Sequence, residues 1–197
     1  MLALSVCFSA CNKKQKDSQQ ATQAPTQQQE GTNKEPQKEP CTKEMKYKLN
    51  ADGESYALVS VGECTCENVT VPETYKGLPV TSIGTAQAGQ AFRNCLTLKS
   101  IVIPSSIKEI YASSFASCAN LEKVVLPSTL TGIGARAFYG CNALKTITIP
   151  SGVEYIGENA FASCKELTIN CEHAAAPSEW HINWNSSDCP VVWGYNG

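Results

Sequence analysis

The positions of the apolar residues repeat every 23 residues between Phe92 and Ala160. Each of the three copies opens on a Phe, which is followed by a Cys three residues later, a Leu six residues later and a Pro twelve residues later. A fourth copy begins at Phe161. Because four residue types keep one period, the pattern is typical of a solenoid, in which each repeat forms one coil stacked on its neighbours.

Each copy contains a short apolar run directly ahead of its Pro. Alternation along a strand predicts that the outer residues of the run face inward while the middle residue faces outward. The Pro then ends the strand, because it has no N–H to give to a ladder. The three runs are Ile101-Val102-Ile103, Val124-Val125-Leu126 and Ile147-Thr148-Ile149.

A second apolar pair follows each Pro at a fixed offset and predicts a second short strand on another side of the coil. In two copies a Gly comes next, Gly134 and Gly157, where a residue with positive φ would suit a turn. The remaining copy has Tyr111 there, so either the turn needs no positive φ or that coil is locally different. The apolar pairs are Ile107 and Ile110, Leu130 and Ile133, and Val153 and Ile156.

One copy carries too few apolar side chains to offset the entropy lost on ordering its backbone, so the coils should fold only as a stack. The sequence therefore predicts a β-rich solenoid of 23-residue repeats with two short strands per repeat, over residues 47–170. Two insertions relative to the period, at 74–79 and 85–90, are expected to form flanking loops. These loops either contact a partner or are irregularities at the end of the stack.

The repeat F-x-x-C-x-x-L-x-x-I-x-I-P-x-x-V-x-x-I-G-x-x-A resembles the leucine-rich repeat of BspA-like bacterial surface proteins. The resemblance covers Tyr56 to about Leu167. It implies a right-handed coil of leucine-rich repeats displayed outside the cell and used for attachment to host proteins or other microbes. It does not transfer a ligand, because one scaffold can carry many different binding surfaces.

The first ten residues, MLALSVCFSA, are apolar, too short to span a bilayer and followed by Cys11. The tetrapeptide Phe8-Ser9-Ala10-Cys11 resembles a lipobox, which implies a lipoprotein signal peptide over residues 1–10 and a lipid on the Cys11 thiol. The alternative is an ordinary cleaved signal or a frayed apolar N-terminus. Residues 11–46, rich in Gln, Lys, Glu, Thr and Pro, are expected to form a disordered tether with a reach of about 30 to 35 Å.

The period breaks after Phe161, and residues 171–197 contain every Trp of the chain. A stack must cover its last coil, and large aromatic side chains do so well. The segment is therefore predicted to be a C-terminal cap built around Trp180, Trp184 and Trp193.

The cap also holds the two histidines of the chain, His173 and His181, beside Glu172, Glu179 and Asp188. No metal-ligand spacing or nucleophile accompanies them, so we expect no catalytic site, no metal and no cofactor. Without the tether the chain has 9 basic and 13 acidic residues, and this net charge of −4 argues against binding to nucleic acid.

The eleven cysteines fall into groups with different expectations. Four recur with the period and should pack inside as free thiols, although stacked strands bring them close enough for disulfides. Cys171 and Cys189 flank the cap and could be bridged in an oxidising compartment. Cys64 and Cys66 face opposite sides if extended and look unlike a metal pair. The four in-phase cysteines are Cys95, Cys118, Cys141 and Cys164.

The outward residues of the first strands form a candidate binding strip, flat and half apolar. Charges of alternating sign run beside it and could form ion pairs between coils, each worth roughly a few tenths of a kcal/mol. About four rungs span roughly 15 to 20 Å, which is too small alone for a tight protein interface. Weak multivalent contact, or help from the loops at 74–79 and 85–90, is therefore expected. The strip consists of Lys99, Val102, Glu122, Val125, Lys145 and Thr148.

These features favour a binding module over an enzyme. With the resemblance, they imply an adhesion or recognition lipoprotein in the outer membrane, whose ligand is a protein of the host extracellular matrix or of a microbial surface. One alternative is a periplasmic scaffold or assembly lipoprotein, because residues 12–16 lack the acidic side chains that often direct display at the surface. The other alternative is an enzyme that uses the cap histidines.

Overall fold

The computed structural model describes residues 44–197, so the predicted signal peptide, the predicted lipid on Cys11 and most of the predicted tether lie outside the described residues. Within this range the chain forms thirteen strands and no α-helix. No helix in residues 44–197 could therefore cross a membrane. The strands are β1 Lys46–Leu49, β2 Tyr56–Ser60, β3 Asn68–Thr70, β4 Thr74–Tyr75, β5 Leu78–Ile83, β6 Ser100–Val102, β7 Glu109–Ile110, β8 Lys123–Val125, β9 Gly132–Ile133, β10 Thr146–Ile149, β11 Tyr155–Ile156, β12 Thr168–Cys171 and β13 Val191–Trp193.

Successive coils stack in parallel and in register, which confirms the β-rich solenoid predicted from the period. The first strands form two three-stranded sheets, β3-β6-β8 and β10-β12-β13. Val69, Ile101 and Val124 share one row of the former sheet, so equivalent positions of the repeat lie directly above one another. The other side of the stack is a long sheet with the path β1-β2-β5-β7-β9-β11, in which β4 pairs with β5.

The first strand of each coil faces as predicted, but the second strand is shorter than expected. Ile101 and Ile103 are buried, whereas Val102 between them is 44% exposed. Strands β7, β9 and β11 have two residues each, and only the second apolar residue of each pair lies in them. Ile107 precedes β7, where its N–H donates to the carbonyl of Pro104 over 3.1 Å. The Pro therefore opens a tight turn before the second strand begins.

Gly134 and Gly157 do not have the positive φ that the sequence suggested. Glycine is needed there because the preceding coil lies close, and a Cβ on Gly134 would be 2.5 Å from the backbone nitrogen of Ala112. Tyr111 fits the equivalent place because it lies against Gly84, which has no side chain. Positive φ is found instead two residues before and two residues after each Phe, at Gln90, Ser113, Arg136 and Asn159 and at Asn94, Ser117, Gly140 and Ser163.

A stack of Phe rings runs through the core. The ring centroids of Phe92, Phe115, Phe138 and Phe161 lie 4.9, 5.1 and 5.6 Å apart in succession, and all four side chains are buried. Trp184 ends the stack by packing edge-on against Phe161, with the centroids 6.0 Å apart. The Phe period of the sequence is therefore the axis of the hydrophobic core.

The C-terminal segment adds one more strand to the stack. β13 lies parallel to β12, with Ile169 opposite Val191. Trp180 is buried, and its indole N–H donates to the carbonyl of Val153 over 3.2 Å. Its ring lies 6.1 Å from that of Trp193 between centroids. The Trp side chains thus pack over the last coil.

Cys95 differs from the prediction, because it forms a disulfide with Cys64 and is not a free thiol. Cys95 belongs to the first full copy, so no Phe coil precedes it, and Cys64 of the N-terminal segment occupies that place with its Cα 5.4 Å away. The other three in-phase cysteines, Cys118, Cys141 and Cys164, are free and buried.

Cys171 and Cys189 are both free, so the suggested disulfide between them is wrong. The pairing of β12 with β13 places Cys171 opposite Trp193. Cys189 lies two residues ahead of β13, and its thiol is 3.6 Å from the carbonyl oxygen of Cys164.

Candidate binding surface

The predicted strip lies on the outward face of the first strands. Val102 in β6 and Val125 in β8 sit opposite each other and are 44% and 40% exposed. Thr148 in β10 is half-buried. The structure thus brings the three uncharged residues of the strip into one outward row.

This row is longer than the sequence indicated. Thr70 lies opposite Val102, and Asn170 lies between Thr148 and Val192. The row therefore runs over six strands, from β3 to β13. Thr70 could have been found, since its strand also precedes a Pro, but Val192 lies outside the repeat and carries no periodic signal.

Lys99, Glu122 and Lys145 are exposed beside the row but do not form the suggested ion pairs with one another within residues 44–197. Lys99 Nζ pairs instead with Glu67 Oε2 over 3.2 Å. The backbone N–H of Glu122 donates to the carbonyl of Lys99 over 2.8 Å, so the backbone connects these coils. An exposed ion pair is worth about 0 to 1 kcal/mol, which leaves these charges available to a partner.

A seam between β8 and β10 interrupts the strip face. The two strands lie side by side but belong to different sheets, so no ladder of backbone hydrogen bonds joins them. The seam opens a groove of about 280 Å³, whose lining includes Val125, Thr148, Pro150 and Glu172. Glu172 Oε2 is held at this groove by the N–H of Ser151 over 2.9 Å. The sequence gives no sign of the seam, because both strands belong to regular copies.

The insertion at 74–79 is an ordered hairpin. β4 pairs antiparallel with β5, and Lys76 and Gly77 between them both have positive φ, which suits a two-residue turn. The Tyr75 ring stacks on Tyr47 with the centroids 4.1 Å apart. The hairpin therefore packs on the N-terminal strand, and contact with a partner stays a prediction.

The insertion at 85–90 is also fixed to the stack. Thr85 Oγ1 accepts a hydrogen bond from the N–H of Ala88 over 2.9 Å. Gly89 lies so close to the carbonyl of Ala112 that a Cβ would collide with it. A role of this loop in binding likewise stays a prediction.

The cap histidines make contacts within the cap. The His173 ring packs edge-on against Trp180, with the centroids 5.2 Å apart. His181 Nδ1 accepts a hydrogen bond from the N–H of Asn183 over 3.0 Å. In the part of the chain that the structure describes, no group of three or more His, Cys, Asp and Glu side chains could hold a metal ion.

Solved structures share this fold. The T. pallidum Leucine Rich Repeat protein is 26% identical with a TM-score of 0.60, over 77% of this chain and 63% of that protein. A leucine-rich repeat protein from Bacteroides capillosus is 27% identical with a TM-score of 0.54, over 64% of this chain and 94% of that protein. A leucine rich cell surface protein from Faecalibacterium prausnitzii shows the fold alone, at 22% identity and a TM-score of 0.52, over 77% of this chain and 53% of that protein. This chain thus spans less than two thirds of the T. pallidum protein.

The repeat region also matches a protein family. No curated protein matches the chain. Residues 85–173 match the BspA type Leucine rich repeat region in six copies. This match, together with the in-register stack of coils, identifies residues 85–173 as BspA-type leucine-rich repeats, over a little less than half of the chain.

Proposed function

We propose that the chain is a recognition module that binds a protein ligand at the cell surface through the strip face and has no catalytic activity. The observation that carries this proposal is the outward row, in which Val102 and Val125 are exposed in register on a parallel sheet. β-Branched side chains on a fixed backbone lose little conformational entropy when a partner covers them. The family supports a binding role in general, because leucine-rich repeat solenoids present extended surfaces to partners.

The dimensions of the row favour weak or multivalent binding. The row consists of two groups of three strands, each spanning about 10 Å at a spacing of about 4.8 Å, with the seam between them. It is therefore longer than the four rungs expected from the sequence. A stable interface buries about 800 Å² per partner, so a ligand must also cover neighbouring surface. The groove at the seam offers such surface directly beside Val125.

A lipid on Cys11 would anchor this module, with residues 11–46 as its tether. The apolar segment ahead of Cys11 and the polar composition behind it support this arrangement. The F. prausnitzii protein, which shares the fold, is described as a cell surface protein. The proposed location is therefore the outer face of the outer membrane, and the proposed ligand is a host matrix protein or a protein of another microbe.

A periplasmic scaffold is the second candidate. Lys13, Lys14 and Lys16 follow Cys11 closely, where acidic residues often direct lipoproteins outward. The partner would then be another protein of the cell envelope.

Protease treatment of intact cells separates these two candidates. An epitope tag at the C-terminus should be removed from wild-type cells while a periplasmic marker survives, and Cys11→Ala should release the chain from the membrane. A tag that is protected until the outer membrane is opened would reject surface display and leave the periplasmic scaffold.

Substitutions in the row test the strip itself. Val102→Glu combined with Val125→Glu should weaken attachment of the purified chain to a matrix laid down by cultured fibroblasts by about tenfold, because two carboxylates would enter the apolar contact. Tyr155→Glu is the matched control, since Tyr155 is 47% exposed on the long sheet. If the control loses as much binding as the double variant, the strip is not the site.

A further inference from the structure

The chain contains two arginines among its sixteen basic residues, and both lie along one groove. This arginine groove has a volume of about 780 Å³ and is lined by Gln90, Arg93, Ser117, Arg136, Tyr139 and Ser163, among others. It lies at the turns around the Phe positions, crosses several coils and shares no residue with the strip. A ligand bound there would therefore be independent of one bound at the strip.

The groove is positively charged in a chain of net negative charge. Its lining contains no acidic residue, and the acids nearest in sequence, Glu158 and Asp188, are not part of it. Arg93 and Arg136 are both exposed, and neither guanidinium forms an ion pair within residues 44–197. Both guanidiniums are therefore available to an anionic ligand.

The spacing of the two arginines suits a ligand with repeated charges. They belong to coils two rungs apart, and the Phe rings beneath them are separated by 4.9 and 5.1 Å. The rise of the stack between Arg93 and Arg136 is thus about 10 Å, which is the least distance between their backbones. A planar guanidinium binds a carboxylate or a sulfate with two parallel hydrogen bonds, which an ammonium group does not.

The shape of the groove comes from one column of the repeat, the residue directly after each Phe. Large and small side chains alternate along this column, as Arg93, Ala116, Tyr139 and Ala162. Ala116 and Ala162 are buried, whereas Tyr139 is 39% exposed. The alanines therefore leave room between the larger side chains, and Tyr139 offers a ring face together with a hydroxyl group.

The chemistry of the lining suits a sugar better than a peptide. Apart from the arginines and Tyr139, its side chains are mainly the hydroxyl and amide groups of Ser, Asn and Gln. A peptide would need apolar pockets or unpaired backbone groups. The backbone N–H groups of Ser113 and Ser117 already donate to the carbonyls of Ala135 and Tyr139, over 2.9 and 2.7 Å.

We propose that the arginine groove binds an acidic polysaccharide, with Arg93 and Arg136 holding its carboxylate or sulfate groups. Polygalacturonate carries only carboxylates and dextran sulfate only sulfate esters, so the two probes distinguish the sources of charge. The purified full chain should bind at least one of them and should not bind neutral dextran. Absence of binding to both at low ionic strength would overturn the proposal.

Variants of the arginines give the sharper test. Arg93→Gln and Arg136→Gln should each weaken binding by about tenfold, and the double variant by about a hundredfold, because each removes a charge-assisted contact. The double variant Arg93→Lys and Arg136→Lys keeps the charge of the groove, and it should still bind the polysaccharide at least about fivefold more weakly than wild type. Both arginines are exposed, so the melting temperature should not change and loss of binding will not reflect unfolding.

The matched control removes the same charge from the strip face. Lys123→Gln combined with Lys145→Gln should change polysaccharide binding by less than about twofold. An equal loss in this control would mean that net charge alone attracts the polymer. Poly-glutamate or a single-stranded oligodeoxynucleotide that binds as tightly as the polysaccharide would also overturn the proposal. None of these polysaccharide measurements tests the proposal that a protein binds at the strip, because the arginine groove and the strip share no residue.

Discussion

The carbonyl of Phe115 accepts two hydrogen bonds, from the N–H of Cys118 in its own coil over 3.2 Å and from the thiol of Cys141 in the next coil over 3.3 Å. The thiol of Cys118 reaches the carbonyl of Phe92 in the same way, over 3.0 Å. A cysteine fits this position because it is small and apolar and still has a weak donor. The Phe and the Cys of the repeat therefore form one recurring contact between coils.

Burial makes these thiols unreactive. It raises the pKa of Cys118 to about 12, so almost no thiolate is present at pH 8. We expect iodoacetamide to leave Cys118 unlabelled in the folded chain and to label it after denaturation, as read by peptide mass spectrometry. Labelling of the folded chain at the rate of a free cysteine would contradict the buried position.

The Phe stack makes a large contribution to stability. Phe138 lies in the middle of the stack with a fully buried ring between Phe115 and Phe161. Phe138→Ala should lower the free energy of unfolding by about 3 to 5 kcal/mol, because a cavity remains between two rings. Urea denaturation measures this loss, and a loss under about 1 kcal/mol would contradict the stack.

Close packing of the coils makes Gly134 intolerant of a side chain. Gly134→Ala would place its Cβ 2.5 Å from the nitrogen of Ala112, and we expect a loss of about 1 to 3 kcal/mol. The control is Gly140→Asn, since Gly140 has positive φ, which Asn adopts readily, and a Cβ added there would lie 3.8 Å from the nearest atom, the Cα of Ser117. The control should change stability by less than about 1 kcal/mol, and thermal unfolding compares the two variants.

At the scale of elements, one row of the long sheet shows how neighbouring strands adapt to each other. Glu109 in β7, Gly132 in β9 and Tyr155 in β11 lie opposite one another. The Glu109 carboxylate occupies the space that a side chain on Gly132 would fill, and it accepts a hydrogen bond from Thr131 Oγ1 over 3.1 Å. Gly132 therefore leaves room for a half-buried carboxyl group.

Glu109 should make stability depend on pH. Burial raises the pKa of its carboxyl group, and the nearby Glu154 raises this pKa further. The folded state therefore holds the proton more tightly than the unfolded state, so the contribution to stability is present below the unfolded pKa of about 4.3 and is lost as pH rises through the folded pKa.

Glu109→Gln should remove this dependence and raise the free energy of unfolding at pH 7 relative to wild type. Urea denaturation between about pH 4 and pH 7 measures the difference. Glu122→Gln is the control, because Glu122 is an exposed carboxylate on the strip face. A similar increase in the free energy of unfolding at pH 7 in both variants would contradict the conclusion that Glu109 causes the pH dependence.

The facing of strand residues could be predicted from the sequence, because it follows from the alternation of apolar residues. Features that depend on contacts between coils could be predicted less well. The burial of Ile101 and Ile103 around an exposed Val102 follows from alternation alone. The short length of the second strand does not follow from alternation, because the turn that begins at Pro104 keeps Ile107 out of the strand ladder. The need for glycine at position 134 could not be predicted either, because it depends on the distance to the neighbouring coil and not on local backbone preference.

At the scale of the whole molecule, the sequence predicted the stack but only part of its surfaces. The periodic residues of the strip lie in one outward row, whereas the seam beside Val125 has no signal in the repeat. The arginine groove was missed because Arg93 and Arg136 occupy different positions of the repeat and approach each other only when the coils stack. Cys64 and Cys95 likewise meet only through the stacking of the N-terminal segment.

The seam gives the solenoid one preferred direction of bending. On the strip face no backbone hydrogen bonds join β8 to β10, while on the opposite side β9 remains paired with β11 and the Phe rings between them stay stacked. A force that bends the solenoid therefore meets least resistance at the seam. The strip face then opens, while the long sheet acts as the hinge. Tension applied through a bound ligand would thus widen the groove beside Val125 before it separated any other pair of coils.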